Sequence, residues 1–113
     1  MQESIAGLDA VHADQILAPG AHTIHQIVLH IAAWMDEAAE RIEGRRHEEP
    51  RMGNFPATVD WRQSQRLLAE TTERLIAAIR EGDIASHFEP LAGVALHNSY
   101  HAGQIILLRK LIG

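Results

Sequence analysis

Residues 90–111 read PLAGVALHNSYHAGQIILLRKL, and the fold class follows from how this stretch is patterned. Val94, His97, His101, Ile105, Leu108 and Ile112 recur at three- and four-residue steps, which stacks them on one stripe of a helix. Pro90 suits the first turn of a helix running to about Leu111. Within it, His97 and His101 are four residues apart. At roughly 100° per residue, four steps return to within about 40°, so both imidazoles leave the same side of the helix. By the stripe, that side faces the interior. Burying two imidazoles among Val94, Ile105 and Leu108 is costly unless their nitrogens find partners. One metal ion would satisfy both, and the i, i+4 spacing suits it. A hydrogen-bonded core pair, or a helix rotated to expose the pair, is the plain alternative.

Two further helices lie upstream. From Thr23 to Glu43, the residues Ile24, Val28, Ile31, Met35, Ala38 and Ile42 form a stripe, Thr23 can cap the start, and Gly44 suits a left-handed end. From Asp60 to Glu81 the stripe is Trp61, Leu68, Leu75 and Ile79; Asp60 with Gln63 reads as a capping box, and Gly82 ends the helix. Between them, GRRHEEPRMGNFPATV (44–59) is a solvated crossover loop. The short DIASHFEP (83–90) predicts that the last two helices are antiparallel neighbours. Glu3 to Leu17 can form one or two short helices before Pro19-Gly20. No segment alternates like a strand. The expected class is all-α, one domain over residues 1–113.

His30 lies on the flank of the first long helix, where a side chain meets a neighbouring helix and can contribute a third nitrogen, although taken alone it reads as a boundary histidine rather than a ligand. Three neutral imidazoles with an open fourth position have the layout of catalytic zinc sites. The other five histidines are weaker candidates. His25 lies about 140° around the helix from His30. His22 is three residues from His25, and His12, His47 and His87 fall in the N-terminal segment or in loops, where solvated histidine is the bland reading. Gln104 borders the histidine stripe and can orient a ligand through a hydrogen bond. Mid-helix Gly103 suggests close backbone packing. Trp34 and Trp61 read as core anchors, and Asp36-Glu37 and Glu48-Glu49 as polar surface.

The totals exclude several classes. The chain has 113 residues, 46% hydrophobic and 22% charged, with a net charge of −5. No concentrated basic face is present to suit nucleic acid or an anionic membrane. There is no cysteine, which removes disulfides, thiolate ligands and a cysteine nucleophile. No apolar run approaches the roughly 20 residues of a membrane span. Nor does the N-terminus have the layout of a signal peptide. The expectation is a cytoplasmic protein.

HTIHQIVLHIAAW (22–34) followed by GVALHNSYHAGQIILLRK (93–110) resembles the DinB/YfiT-like superfamily. The likeness runs from Ser4 onward, and HNSYHAGQI is its most specific part. The resemblance implies a four-helix bundle, commonly dimeric, with three histidines on a divalent ion; those positions match His30, His97 and His101. It implies metal-dependent transferases acting with small thiols, and a maleylpyruvate isomerase branch. Two departures stand out. His25 occupies a place where an aromatic is usual, and only about 20 residues precede the His30 helix, too few for the family's long first helix. The expected form is therefore a shortened bundle of three long helices with a short N-terminal segment; either a second chain covers its open side, which is the expectation, or the chain is a truncated version of the bundle.

The function expected is a metal-dependent enzyme of the hydrolase or transferase type, a thiol-dependent S-transferase using zinc, nickel or iron on the three histidines. No general base is apparent in the sequence. The alternative is a non-catalytic, stress-related protein that binds a metal or small molecule. The expected partners are a second copy of the chain and a small thiol or other small-molecule substrate, with neither nucleic acid nor membrane.

Overall fold

A computed structural model describes residues 2–82 and 88–112. These residues form a 3-10 turn over Gln2–Ile5 and four α-helices: α1 (Ala10–Ala13), α2 (Ile24–Ile42), α3 (Trp61–Glu81) and α4 (Phe88–Ile112). Among the described residues there is no strand. The three long helices fall where the hydrophobic stripes predict them, and residues 2–23 supply only short pieces.

Local chemistry explains the helix ends. Thr23 Oγ1 accepts from Gln26 N at 3.1 Å, and Gln26 Oε1 accepts from Thr23 N at 2.8 Å. The reciprocal capping box thus forms at the start of α2. Asp60 caps α3 by accepting from Gln63 N. After α2, Gly44 takes φ +94°, a backbone region where a Cβ would be strained.

The helix α2 is the axis of the molecule. Residues that touch across α2 and α3 rise in step: His25 meets Ser64, Met35 meets Thr72, and Glu40 meets Arg74. The two helices therefore run parallel, which the crossover loop makes possible. On another side of α2, α4 runs the opposite way, with His97 beside Trp34 and His101 beside His30. Contrary to the expectation from residues 83–90, α4 packs on α2, and α3 and α4 make at most marginal contact among the described residues. A short link fixes a reversal of direction. It does not fix which neighbour a helix buries its stripe against. His87 lies outside the described residues.

The core holds Ile24, Ile27, Val28, Ile31 and Met35 of α2, Trp61, Leu68 and Leu75 of α3, and Ile105 of α4. Beyond its stripe, α2 also buries Leu29, Ala33, Asp36, Glu37 and Glu40. The N-terminal segment is tied to each long helix in turn. Asp14 meets His25 of α2, Leu8 O accepts from Trp61 Nε1 of α3 at 2.9 Å, and Arg109 of α4 donates to Ser4 O and Ala6 O at 3.1 and 3.0 Å. Ile5 and Ala13 are its buried apolar plugs.

Candidate metal centre

Three histidines meet between α2 and α4. His97 Nε2 is 3.0 Å from His30 Nε2 and 2.9 Å from His101 Nε2. One ligand atom from each of the three lies within 4.8 Å of the others. The helix geometry that pairs His97 with His101 is local; bringing His30 to them requires the packing of α4 on α2.

The other ring nitrogens decide what this cluster can hold. His30 Nδ1–H donates to the main-chain oxygen of Asn54 at 2.6 Å. His101 Nδ1–H donates to Gln104 Oε1, as the position of Gln104 on the stripe suggests. In neutral rings with those protons committed, the Nε2 atoms of His30 and His101 are bare lone pairs. His97 Nε2–H could satisfy one of them and leave the other facing it unpaired. Two bare lone pairs facing a third ring Nε2 suit a cation. Metal–nitrogen bonds of about 2.0–2.1 Å at tetrahedral angles put nitrogens about 3.3 Å apart, and His97 Nε2 is within a few tenths of an ångström of that spacing from each of its two neighbours.

Electrostatics favours the ligand-competent form. Burial pushes the His30 pKa below its ordinary value, opposed by the Asn54 oxygen and reinforced by the nearby His101. Burial likewise lowers His97, with His101 and His30 adding to the shift. Neutral imidazole is the form that binds metal.

The walls were only partly legible in the sequence. Phe55 stacks on His30 with centroids 4.2 Å apart, and His22 stacks on the far side of Phe55 at 3.9 Å. His22 thus lies near the trio yet is separated from it by a phenyl ring. Trp34 is half-buried beside His97 and donates through Nε1 to Asn54 Oδ1 at 2.8 Å, so it is a wall of the site and not a core anchor. Trp61 is the buried one. Asn54 and Phe55 carry no periodic signal, since they lie in the loop. Gly103 is also corrected: a Cβ there would meet nothing within 4 Å.

Two other polar clusters belong to the scaffold. Asp36 and Glu37, expected at the surface, are 2% and 0% exposed, with Glu40 at 3%. The crossover loop folds back over this side of α2 and brings its arginines along. Asp36 receives Arg51 through Nε and Nη2 at 2.8 and 2.9 Å, and Arg74 from α3 as well. Glu37 accepts from Arg41 Nε and His47 N, while Arg45 and then Arg74 hold the Glu40 carboxyl far below the usual carboxylate range. Glu48 and Glu49 are exposed as expected. The second cluster is His25, whose Nδ1 meets Asp14 Oδ1 at 2.8 Å and whose Nε2 meets Ser64 Oγ at 2.7 Å. That is the order of a hydrolase triad. However, Ser64 is 0% exposed and its own N–H is spent on Asp60 O inside α3, leaving neither substrate access nor a local oxyanion donor. It is a structural clamp.

A comparison with protein families matches residues 1–105 to the DinB superfamily. The chain belongs to the DinB superfamily. This agrees with the all-helical fold and with the His30, His97 and His101 cluster. No curated protein and no solved structure matches this DinB chain significantly.

Proposed function

We propose that this DinB-superfamily chain is a metal-dependent enzyme, a thiol-dependent S-transferase, with His30, His97 and His101 as the ligands of one divalent ion. The observation that carries the reading is the convergence of three Nε2 atoms, two of which, on His30 and His101, are left as bare lone pairs by the Nδ1–H bonds of the same rings. Zinc, nickel and iron all suit imidazole. A bound ion would supply positive charge that lowers the pKa of a small thiol held beside it. The chain's own part is to hold the three rings neutral and oriented, and to screen them with Phe55 and Trp34. That screening also favours the second reading, a non-catalytic metal- or small-molecule-binding protein. Elemental analysis of tag-free protein tests the metal, with about one ion per chain expected; metal-free protein at neutral pH ends both metal readings. A conjugation screen pairing small thiols with an electrophile then separates enzyme from binder, since turnover lost in His97→Ala is expected only of the enzyme.

We read the chain as one cytoplasmic domain that works as a homodimer. Residues 90–108 contain no Asp, Glu, Lys or Arg, and Tyr100, Ile106, Leu107 and Leu111 are exposed on α4. A helix apolar on all sides is ordinarily buried on all sides. Open space at Gly103 would let a second backbone approach closely. Sedimentation at low micromolar concentration should give a dimer that Leu107→Glu dissociates; a folded wild-type monomer there would refute it.

A further inference from the structure

The return half of the crossover loop runs back along α2. His47 N donates to Glu37, Arg51 grips Asp36, and Asn54 reaches both Trp34 and His30. Pro50 O accepts from Gly53 N at 2.7 Å, with Gly53 at φ +90°, and Asn54 N donates to Glu49 Oε1 at 3.2 Å. This turn aims two oxygens of one residue at α2. The main-chain oxygen of Asn54 receives His30 Nδ1–H, and its side-chain oxygen receives Trp34 Nε1–H, one helical turn further on.

We propose that Asn54 is a positioning residue for the histidine trio. Tethered through its side chain to Trp34, it holds its main-chain oxygen where His30 must carry its proton on Nδ1 and present a bare Nε2 to His97 and His101. The inference rests on the metal reading for its consequence, and on hydrogen bonding alone for its cause. A ligating histidine free to flip or to change tautomer binds metal less well, because the ring must be ordered when the ion arrives. By linkage, an ion on His30 also stabilises the loop that orients it. His101 has its orienting group, Gln104, on its own helix. His30 takes its own from a loop 24 residues away, which makes this half of the site dependent on how the loop is fastened.

The test is a double-mutant cycle of Asn54→Ala and Trp34→Phe, read by metal affinity and by ring nitrogen NMR. Asn54 is exposed, so its alanine variant should fold; far-UV circular dichroism checks both variants. Each single variant should lose about 10-fold in zinc affinity, measured by chelator competition, and the double variant should lose no more than either single one. In metal-free protein, wild-type His30 should show one tautomer, protonated on Nδ1, and the variants a mixture of two. Hydrogen exchange should slow across residues 49–55 when zinc is added to wild type, and less so in the variants. Unchanged affinity and a single tautomer in Asn54→Ala overturn the proposal, as do losses that simply add. If wild type binds no zinc, the metal reading fails instead, and the tautomer measurement still decides the role of Asn54.

Discussion

Two buried histidine clusters lie on opposite ends of the same logic. At His25, each ring nitrogen meets a group that can complement it, the Asp14 carboxylate on one side and the Ser64 hydroxyl on the other. At the trio, three Nε2 atoms meet one another. Both clusters remove imidazole from water, and both His25 and His30 are more than nine-tenths buried. Burial alone therefore does not distinguish a ligand from a scaffold residue. What distinguishes them is whether the nitrogens are already satisfied. His25 is a closed account, stitching α1, α2 and α3 together. The trio is left wanting a cation.

The sharpest way to break this comparison is to delete one histidine from each cluster. His97→Ala should lower metal affinity by more than about 100-fold, beyond the 10- to 100-fold typical of outer partners. His25→Ala should leave metal content at the wild-type level. Equal metal loss in the two variants would mean that the clusters are not distinct in kind.

On stability the order reverses. His25→Ala leaves Ser64 buried without its partner, opens a cavity beside Trp61, and should cost about 2–4 kcal/mol by denaturant unfolding. His97→Ala in metal-free protein should cost less, because it removes a nitrogen whose neighbours were poorly satisfied. A larger loss for His97→Ala than for His25→Ala would show the trio to be the structural cluster.

Acid should weaken the trio's contribution to stability. The folded-state pKa values of His30 and His97 are lowered, so between the unfolded value near 6.5 and those lowered values the unfolded chain binds more protons than the folded one. Metal-free protein should hold this contribution above pH 6.5 and lose it as pH falls through the lowered pKa values. Bound metal should be released over the same range as protons compete for the ligands. Chevron or melting measurements across pH 4–8, with and without zinc, check both; stability that rises on acidification would contradict the shifts.

The smallest effect is expected at Gln104, whose side chain orients His101 from one turn away. Gln104→Ala should weaken metal affinity by about 10-fold with little change in folding stability. A loss as large as that of His97→Ala would promote Gln104 from orienting group to ligand.

Much was decided by local spacing. The 3.6-residue stripes sufficed for the all-α class and for the three long helices, and the four-residue step between His97 and His101 sufficed to put both rings on one side of α4. Those are properties of one helix, and the sequence carries them whole. The partner of α4 was not legible, because a short link constrains direction and leaves the choice of buried neighbour to apolar surfaces far apart in the chain. Nor was the burial of Asp36 and Glu40, which depends on arginines brought in by the loop and by α3, or of Glu37, which is covered by Arg41 of its own helix and by the loop's His47 N–H. Asn54 and Phe55 became part of the site for the same reason. Their distance in sequence from His30 has no period to read, and only the folding of the loop back along α2 brings an oxygen and a phenyl ring to that imidazole.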